Sequence, residues 1–197
     1  MKSRKRLSLF TLLLFTASPI AFAVQNNWPG TKVNQPAPKV KGMSPILAKN
    51  LANFDDLDFN VYTNQKWWEL HKSHAMDIIV HYPDGHTTKG IQKHIDDLKY
   101  MWTFAPDNRI TEHPVRFGTN DGEWTAVTGF TDGTFTKPMD LGGGKVIKPT
   151  GKSYHLPMAT LGHWTKVKAK GFEGVVMDEE YLFWDEGELM KQIGVSN

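Results

Sequence analysis

Residues 76–102, "MDIIVHYPDGHTTKGIQKHIDDLKYMW", change from a strand pattern to a helix pattern within one short stretch. The alternating segment from Asp77 to Tyr82 predicts a β-strand. Pro83-Asp84-Gly85 predicts a turn that takes the chain out of the sheet. A helix follows, because apolar side chains recur at helical spacing. These side chains are Ile91, Ile95, Leu98 and Trp102. Ala105-Pro106 ends this helix, since the residue before a proline avoids helical backbone.

Two more helices are predicted ahead of this strand. Ser44 can cap the first, with Pro45 at its first helical position, where proline loses no hydrogen bond. Thr63 or Asn64 can cap the second, "QKWWELHKSHA". Its spacing puts four side chains near one face. They are Trp67, Leu70, His71 and His74.

The second half of the chain predicts long strands rich in Val, Thr and aromatic residues, with glycines between them. They cover residues 109–118, 123–135, 152–167 and 172–184. A short helix, "EGELMKQIG", ends at Gly194. Long strands after a group of helices indicate an α+β fold, with the helices against one face of an antiparallel sheet.

The N-terminus predicts a secretory signal peptide over residues 1–23. Four basic residues precede an apolar run from Leu7 to Phe15, and Ala21 and Ala23 flank Phe22 just before the expected cleavage after Ala23. A membrane anchor is the alternative, but the run is shorter than the roughly 20 residues that a span needs. We therefore expect no stable membrane anchor after cleavage, and a periplasmic location.

Residues 24–43 predict an extended linker, because they are polar, contain three prolines and show no apolar periodicity. The folded domain is expected over residues 44–197. Without residues 1–23, which carry four basic and no acidic side chains, the 23 basic residues fall to 19 against 21 acidic ones. A basic surface for nucleic acid is therefore not expected. The chain has no cysteine, which excludes thiol catalysis and disulfides.

Six short motifs occur in an order that points to one family. They are "HYPDG" followed by Lys89-Gly90-Ile91, "FAPDNRI", "GEWTAV", "GTF", "KPTGKSY" and "YLFWDEGELMKQIG". From about Leu51 to Val195 the chain resembles the SnoaL-like ester cyclase and polyketide cyclase family of the nuclear-transport-factor-2-like superfamily. The resemblance implies a cone-shaped, curved antiparallel sheet around the helices, also described as a cystatin-like α+β barrel. The open end of the cone would hold an apolar pocket.

The end of the predicted strand holds the first candidate site residues. Asp77 and His81 share one face by period-two alternation, whereas Tyr82 lies on the other. The family pattern puts a histidine two places before the proline, which His81 matches. A histidine suits a general base, because its ordinary pKa of about 6.5 is close to neutral pH. Ketosteroid isomerases have their catalytic aspartate at the position of Tyr82, so the isomerase mechanism is not copied.

Two departures from the family pattern affect the expected chemistry. Phe135 stands where the family often has a histidine, and no carboxylate occurs between Lys152 and Thr165, where polyketide cyclases use an aspartate. His155 could replace that aspartate as a proton carrier, and a solvent-exposed histidine is the alternative. On the last strand, Glu180 could hold or relay a proton inside an apolar cone.

Aromatic side chains are numerous in the predicted domain, and some of them could line the pocket around a planar ligand. The candidate ligand-binding residues are Trp67, Trp102, Phe135, Trp164, Glu180 and Trp184. A metal site is not expected, because His71 and His74 have no third ligand fixed by spacing. No cofactor is expected either.

These observations predict a cofactor-independent lyase or isomerase that transfers a proton on a carbonyl-bearing, largely apolar small molecule. His81, His155, Asp77 and Tyr82 are the candidate catalytic residues. The alternative is a periplasmic binding or carrier protein with the same pocket and no turnover. A homodimer through the sheet face fits the superfamily, although no motif of the chain marks it.

Overall fold

Three α-helices and nine β-strands lie in residues 42–169 and 172–195, which are the residues that the computed structural model describes. The helices are α1 (Pro45–Asp56), α2 (Ile91–Phe104) and α3 (Glu186–Gln192). The strands are β1 (His74–His81), β2 (Thr87–Lys89), β3 (Arg109–Ile110), β4 (Val115–Gly118), β5 (Trp124–Thr134), β6 (Met139–Asp140), β7 (Val146–Ile147), β8 (Ser153–Ala169) and β9 (Phe172–Trp184). A π-helical segment, Leu57–Tyr62, continues α1, and a 3₁₀ helix covers Trp67–Lys72. The predicted signal peptide and residues 24–41 of the predicted linker lie outside the described residues.

Seven strands form one sheet in the order β2-β1-β9-β8-β5-β3, with β4 also paired to β5. This sheet and the helices confirm the predicted α+β class. The sheet is mixed, however, because β1 and β9 run parallel while the other pairs in it are antiparallel. The expectation of an antiparallel sheet was therefore wrong for this one pair. Neighbouring strands need not be antiparallel when the chain between them is long, and here it includes α2 and β3 to β8.

The sheet is curved, and two of its strand pairings are interrupted by register shifts. The β1–β9 register shifts between His74 and Ile79, and the β8–β9 register shifts between His163 and Trp164. Such bulges bend a strand and increase its local twist. They also change which side chains share a face, a change that strand periodicity alone does not predict.

The helix ends follow the local sequence. The Ser44 side chain accepts a hydrogen bond from the Leu47 backbone N–H, and Pro45 is the first helical residue, as predicted. The second predicted helix is shorter than expected and ends before His74. The Met177 N–H donates to the Ser73 carbonyl at 2.7 Å, which draws this segment into the sheet beside β9. His74 therefore begins β1 rather than ending a helix.

Two apolar clusters hold the helices against the sheet. The larger one includes Leu51, Phe54 and Ile78, each at most 1% exposed, and it joins α1 to β1. Full burial of such a side chain contributes about 1.5–3 kcal/mol. The smaller cluster packs α3 against Phe104 and Phe135. Within residues 42–169 and 172–195, no helix has the length and apolar content that a membrane crossing needs.

Candidate active site

A cavity of about 270 Å³ lies between α2, the π-helical segment and the sheet. Its wall is mostly apolar and includes Leu57, Leu98, Met101, Ile110, Leu156 and Leu182. The Pro83-Asp84-Gly85 turn lies at its mouth, because Asp84 and His86 line the cavity and are also exposed to solvent. A cavity of this kind suits a small, largely apolar molecule that is oriented by a few polar groups.

Three buried polar side chains meet in the wall of this cavity. His74 comes from the first position of β1, His94 from the first turn of α2, and Glu180 from β9. They are 2%, 2% and 3% exposed. Glu180 Oε2 lies 3.3 Å from His94 Nε2 and 3.5 Å from His74 Nε2. The two imidazole rings are tilted against each other, with centroids 5.1 Å apart.

The other nitrogen of His74 is held by the end of the 3₁₀ helix. Ser73 Oγ donates its single proton to the Leu70 carbonyl at 3.1 Å and lies 2.8 Å from His74 Nδ1. Assigning that hydroxyl proton to the Leu70 carbonyl makes His74 Nδ1 the donor to Ser73 Oγ. In this tautomer, His74 Nε2 points at Glu180 with a lone pair.

His94 is held in the same way by a tyrosine. The Tyr82 hydroxyl donates to Asp97 Oδ2 at 3.2 Å and accepts from His94 Nδ1 at 3.2 Å. His94 Nε2 is left with its lone pair toward Glu180. Asp97, Tyr82, His94 and Glu180 thus form a polar network along one wall of the cavity.

Burial controls the protonation of this network. It lowers the pKa of His94 to about 4, against the opposing effect of the Glu180 charge, and the nearby His74 lowers it further. His94 is therefore neutral at pH 7. Burial also raises the pKa of Tyr82 above its ordinary value, and the Asp97 charge adds to the rise. Tyr82 is thus a hydroxyl donor at pH 7 and not a phenolate.

Three acceptor atoms point at one another in this cluster, and no donor lies between them. They belong to His74, His94 and Glu180. His74 Nε2 and Glu180 Oε2 are buried, and neither has a hydrogen-bond partner among the described residues. The three ligand atoms lie within 4.8 Å of one another, an arrangement that could hold a metal ion. Buried polar atoms are nearly always paired, so this cluster needs a proton or a cation.

Solved structures similar to this chain were found, although no protein-family model and no curated protein matches it. One is a Jannaschia sp. CCS1 protein assigned as a SnoaL-like polyketide cyclase. It has 18% identity and a TM-score of 0.60, and the match covers 80% of this chain and all of that protein. IdmH of Streptomyces antibioticus, assigned as a polyketide cyclase, has 17% identity and a TM-score of 0.57 over 76% of this chain and 99% of IdmH.

A third similar structure is a Catenulispora acidiphila protein with a ketosteroid isomerase-like fold, solved with trimethylamine. It has 12% identity and a TM-score of 0.52, and the match covers 78% of this chain and 96% of that protein. This chain has the SnoaL-like fold. The resemblance found in the sequence motifs is confirmed for the fold.

The SnoaL-like fold turns the Tyr82 face of β1 toward the cavity. Ile78 and Val80, on the same face, are 0% exposed. Asp77 is exposed, and His81 lies on the opposite face, where its Nε2 is 2.9 Å from Glu179 Oε1. The structure therefore brings Tyr82 to the cavity and does not bring Asp77 or His81 there.

His155 also lies away from the cavity of this SnoaL-like fold. Its Nδ1 is 2.6 Å from Asp132 Oδ1, and its ring stacks on Phe130 at 3.9 Å. Leu156, the next residue of β8, lines the cavity instead. Adjacent strand residues point to opposite faces, so Leu156 faces the cavity and His155 does not.

The predicted ligand-binding residues divide between the cavity and the core. Glu180 and Trp184 line the cavity. Trp164 and Phe135 are 3% and 0% exposed and belong to the two apolar clusters. Trp67 packs against the larger cluster, and Trp102 packs its ring against Tyr62, with centroids 5.9 Å apart. Neither Trp67 nor Trp102 is among the described residues that line the cavity.

His94 and Asp97 were not predicted as site residues, yet both line the cavity. The helical spacing of the sequence does contain a signal for His94. His94 lies three residues after Ile91 and four before Leu98, which puts a histidine on the apolar face of α2. A polar side chain on such a face needs a buried partner or a function.

Proposed function

We propose that the protein is a cyclase- or isomerase-type enzyme that transfers a proton on a carbonyl-bearing small molecule held in the cavity. The observation that carries the proposal is the Glu180 carboxylate, buried in the wall of an apolar cavity between two histidine lone pairs. Solved proteins with the same fold that are assigned as polyketide cyclases support this reaction class.

Proton transfer beside a carbonyl needs a group that accepts the proton and a group that stabilises the negative oxygen. The network of Glu180, His94, Tyr82 and Asp97 has a carboxylate at each end and a neutral hydroxyl donor in the middle. A proton taken by one carboxylate can pass along these hydrogen-bonding groups. The network therefore accepts the proton. Tyr82, whose single hydroxyl proton bonds Asp97 when no substrate is bound, would turn that proton to the substrate oxygen.

The apolar wall decides which compounds fit this chemistry. None of the lining residues among residues 42–169 and 172–195 is lysine or arginine. A strongly anionic substrate would thus lack a charged partner, whereas a neutral dicarbonyl or lactone-forming compound matches the wall. The substrate class is therefore a neutral, largely apolar carbonyl compound.

Deuterium exchange tests the proposal. A panel of 1,3-dicarbonyl and lactone-forming compounds is incubated with the protein in D₂O, and the α-proton signal is followed by NMR. The protein should accelerate exchange for at least one compound. Glu180→Gln should slow that exchange about 100- to 10,000-fold, the usual range for loss of general acid–base catalysis.

Native mass spectrometry of the purified protein distinguishes a carrier from an enzyme. A co-purified small molecule that keeps its mass on incubation, together with no exchange on any compound of the panel, would contradict the enzyme and support a binding or carrier protein.

A further inference from the structure

We propose that His74 Nε2, His94 Nε2 and Glu180 Oε2 bind one divalent first-row transition-metal ion in the cavity wall. The proposal departs from the metal-free expectation of the sequence, because the third ligand comes from a strand more than eighty residues away from either histidine in the chain. Metal binding itself does not depend on the proposed function. Only its catalytic consequence rests on that function.

The distances favour a metal ion over shared protons. Charge-assisted N–H···O hydrogen bonds are about 2.7–2.9 Å long. Glu180 Oε2 is 3.3 and 3.5 Å from the two histidine nitrogens, which is too long for such bonds. Zinc bound tetrahedrally at 2.0–2.1 Å holds neighbouring ligand atoms about 3.3 Å apart. The two measured distances from Glu180 Oε2 thus match the distances between neighbouring ligand atoms in a tetrahedral zinc site.

The neighbouring groups orient the ligands for a metal. Histidine ligands usually donate their second ring nitrogen to an acceptor, which fixes the tautomer and directs the lone pair at the ion. Ser73 Oγ accepts from His74, and the Tyr82 hydroxyl accepts from His94. Both imidazoles are therefore held in the tautomer that binds a metal through Nε2.

The donor set limits the kind of ion. Two imidazoles and one carboxylate suit zinc, iron(II) and related ions, whereas calcium and magnesium prefer oxygen ligands. Three protein ligands leave at least one coordination position open, as in catalytic zinc sites. All three ligand residues line the cavity, so that position is accessible to a bound molecule.

An ion in this position would give the cavity the positive charge that its lining lacks. A metal ion polarises a carbonyl oxygen as a Lewis acid. Glu180 would then be a ligand, and Asp97, bonded to Tyr82, would be the carboxylate that accepts the proton. The proposed function then uses the same network, but Glu180 binds the ion and Asp97 takes over as the base.

Elemental analysis and calorimetry test the site directly. The full chain, purified without chelators, should contain close to one equivalent of a transition metal. After removal of metal by a chelator, Zn²⁺ should bind with a stoichiometry of one and raise the melting temperature. Glu180→Gln should weaken Zn²⁺ binding at least about 100-fold, and Ser73→Ala and Tyr82→Phe about 10- to 100-fold.

Glu179→Gln is the matched control, because Glu179 precedes Glu180 on β9 and bonds His81 and Tyr181 outside the cavity lining. It should bind Zn²⁺ like the wild type. If Glu180→Gln is unstable, His94→Gln serves as the second variant. Absence of metal from the purified protein, with no Zn²⁺ binding by the metal-free wild type, overturns the proposal. So does unchanged binding in Glu180→Gln. Proton exchange by a protein that binds no metal would contradict the metal site and support the proposed function. Metal binding without proton exchange would support the metal site and contradict the proposed function.

Discussion

Tyr82 connects the two halves of the polar network, and its hydroxyl is the group to remove first. Tyr82→Phe deletes the bonds to His94 and Asp97 while the ring stays against His86 and Trp184. A hydrogen bond to a charged group contributes about 1.5–3 kcal/mol, so the α-proton exchange rate should fall about 10- to 100-fold. His81→Ala should leave that rate within about twofold, as is usual for surface substitutions. An exchange rate that falls more in His81→Ala than in Tyr82→Phe would contradict this order.

His113 gives the fold a stability that depends on pH. Burial disfavours its charged form, but hydrogen bonds and charges of Asp55 and Asp58 outweigh that effect and raise the pKa of His113 to about 9. Its ring nitrogens lie 2.8 Å from both carboxylates. A group with a raised pKa contributes stability that is fully present below its unfolded pKa of about 6.5.

The stability from His113 should be lost as the pH rises from about 6.5 through 9. By linkage it amounts to about 3 kcal/mol. Urea unfolding at pH 6 and at pH 9.5 measures the loss, and His113→Gln should remove most of the difference. An unfolding free energy that changes with pH equally in both proteins would show that other groups cause it.

Among the elements, Gly162 lies on β8 beside the bulge between β8 and β9. A Cβ at this position would overlap Sδ of Met177, which is 0% exposed. Gly162→Ala should destabilise the protein by about 1–3 kcal/mol, the usual cost of overpacking. Thermal or urea unfolding checks this value.

A double-mutant cycle separates overpacking from a backbone effect at Gly162. Met177→Ala added to Gly162→Ala removes the overlap, so the two substitutions together should cost less than the sum of their separate effects. Strict additivity would mean that the side chain of Met177 is not the cause.

Sequence periodicity predicted most helices and strands, but it did not show which face of each strand is buried. α2 and β9 match their predicted ranges closely, because their apolar spacing and their turn residues agree. Period-two alternation divides β1 into two sets of side chains and does not say which set is buried. The structure decides it through Glu180 and Val80, which are register partners on adjacent strands and are both buried.

Bulges and a missed hairpin account for other differences. Period-two alternation would put Asp178 and Glu180 on one face of β9. Asp178 lies at the register shift, however, and bonds His163 at 2.6 Å outside the cavity lining. The hairpin of β6 and β7 was not predicted, since each strand has only two residues. Its turn uses three consecutive glycines, 142–144, all with positive φ.

At the scale of the whole molecule, we propose that the chain is exported. The basic N-terminus, the apolar run and the Ala21-Phe22-Ala23 segment motivate this proposal. Protein recovered from cells should begin at Val24, and N-terminal sequencing or intact mass measurement checks it. A soluble cytoplasmic product that keeps Met1 would contradict export.

We infer that the chemistry occurs on the cavity face of β9 and β1, and two neighbouring carboxylates of β9 distinguish this face from the opposite one. Glu179 and Glu180 are adjacent and chemically identical, but Glu180 lines the cavity and Glu179 does not. The measurement is the rate of α-proton exchange in D₂O for Glu180→Gln and Glu179→Gln on the same substrate. We predict a loss of about 100-fold or more for Glu180→Gln and a rate within about twofold of the wild type for Glu179→Gln. Equal losses, or a larger loss in Glu179→Gln, would place the chemistry elsewhere and contradict the account.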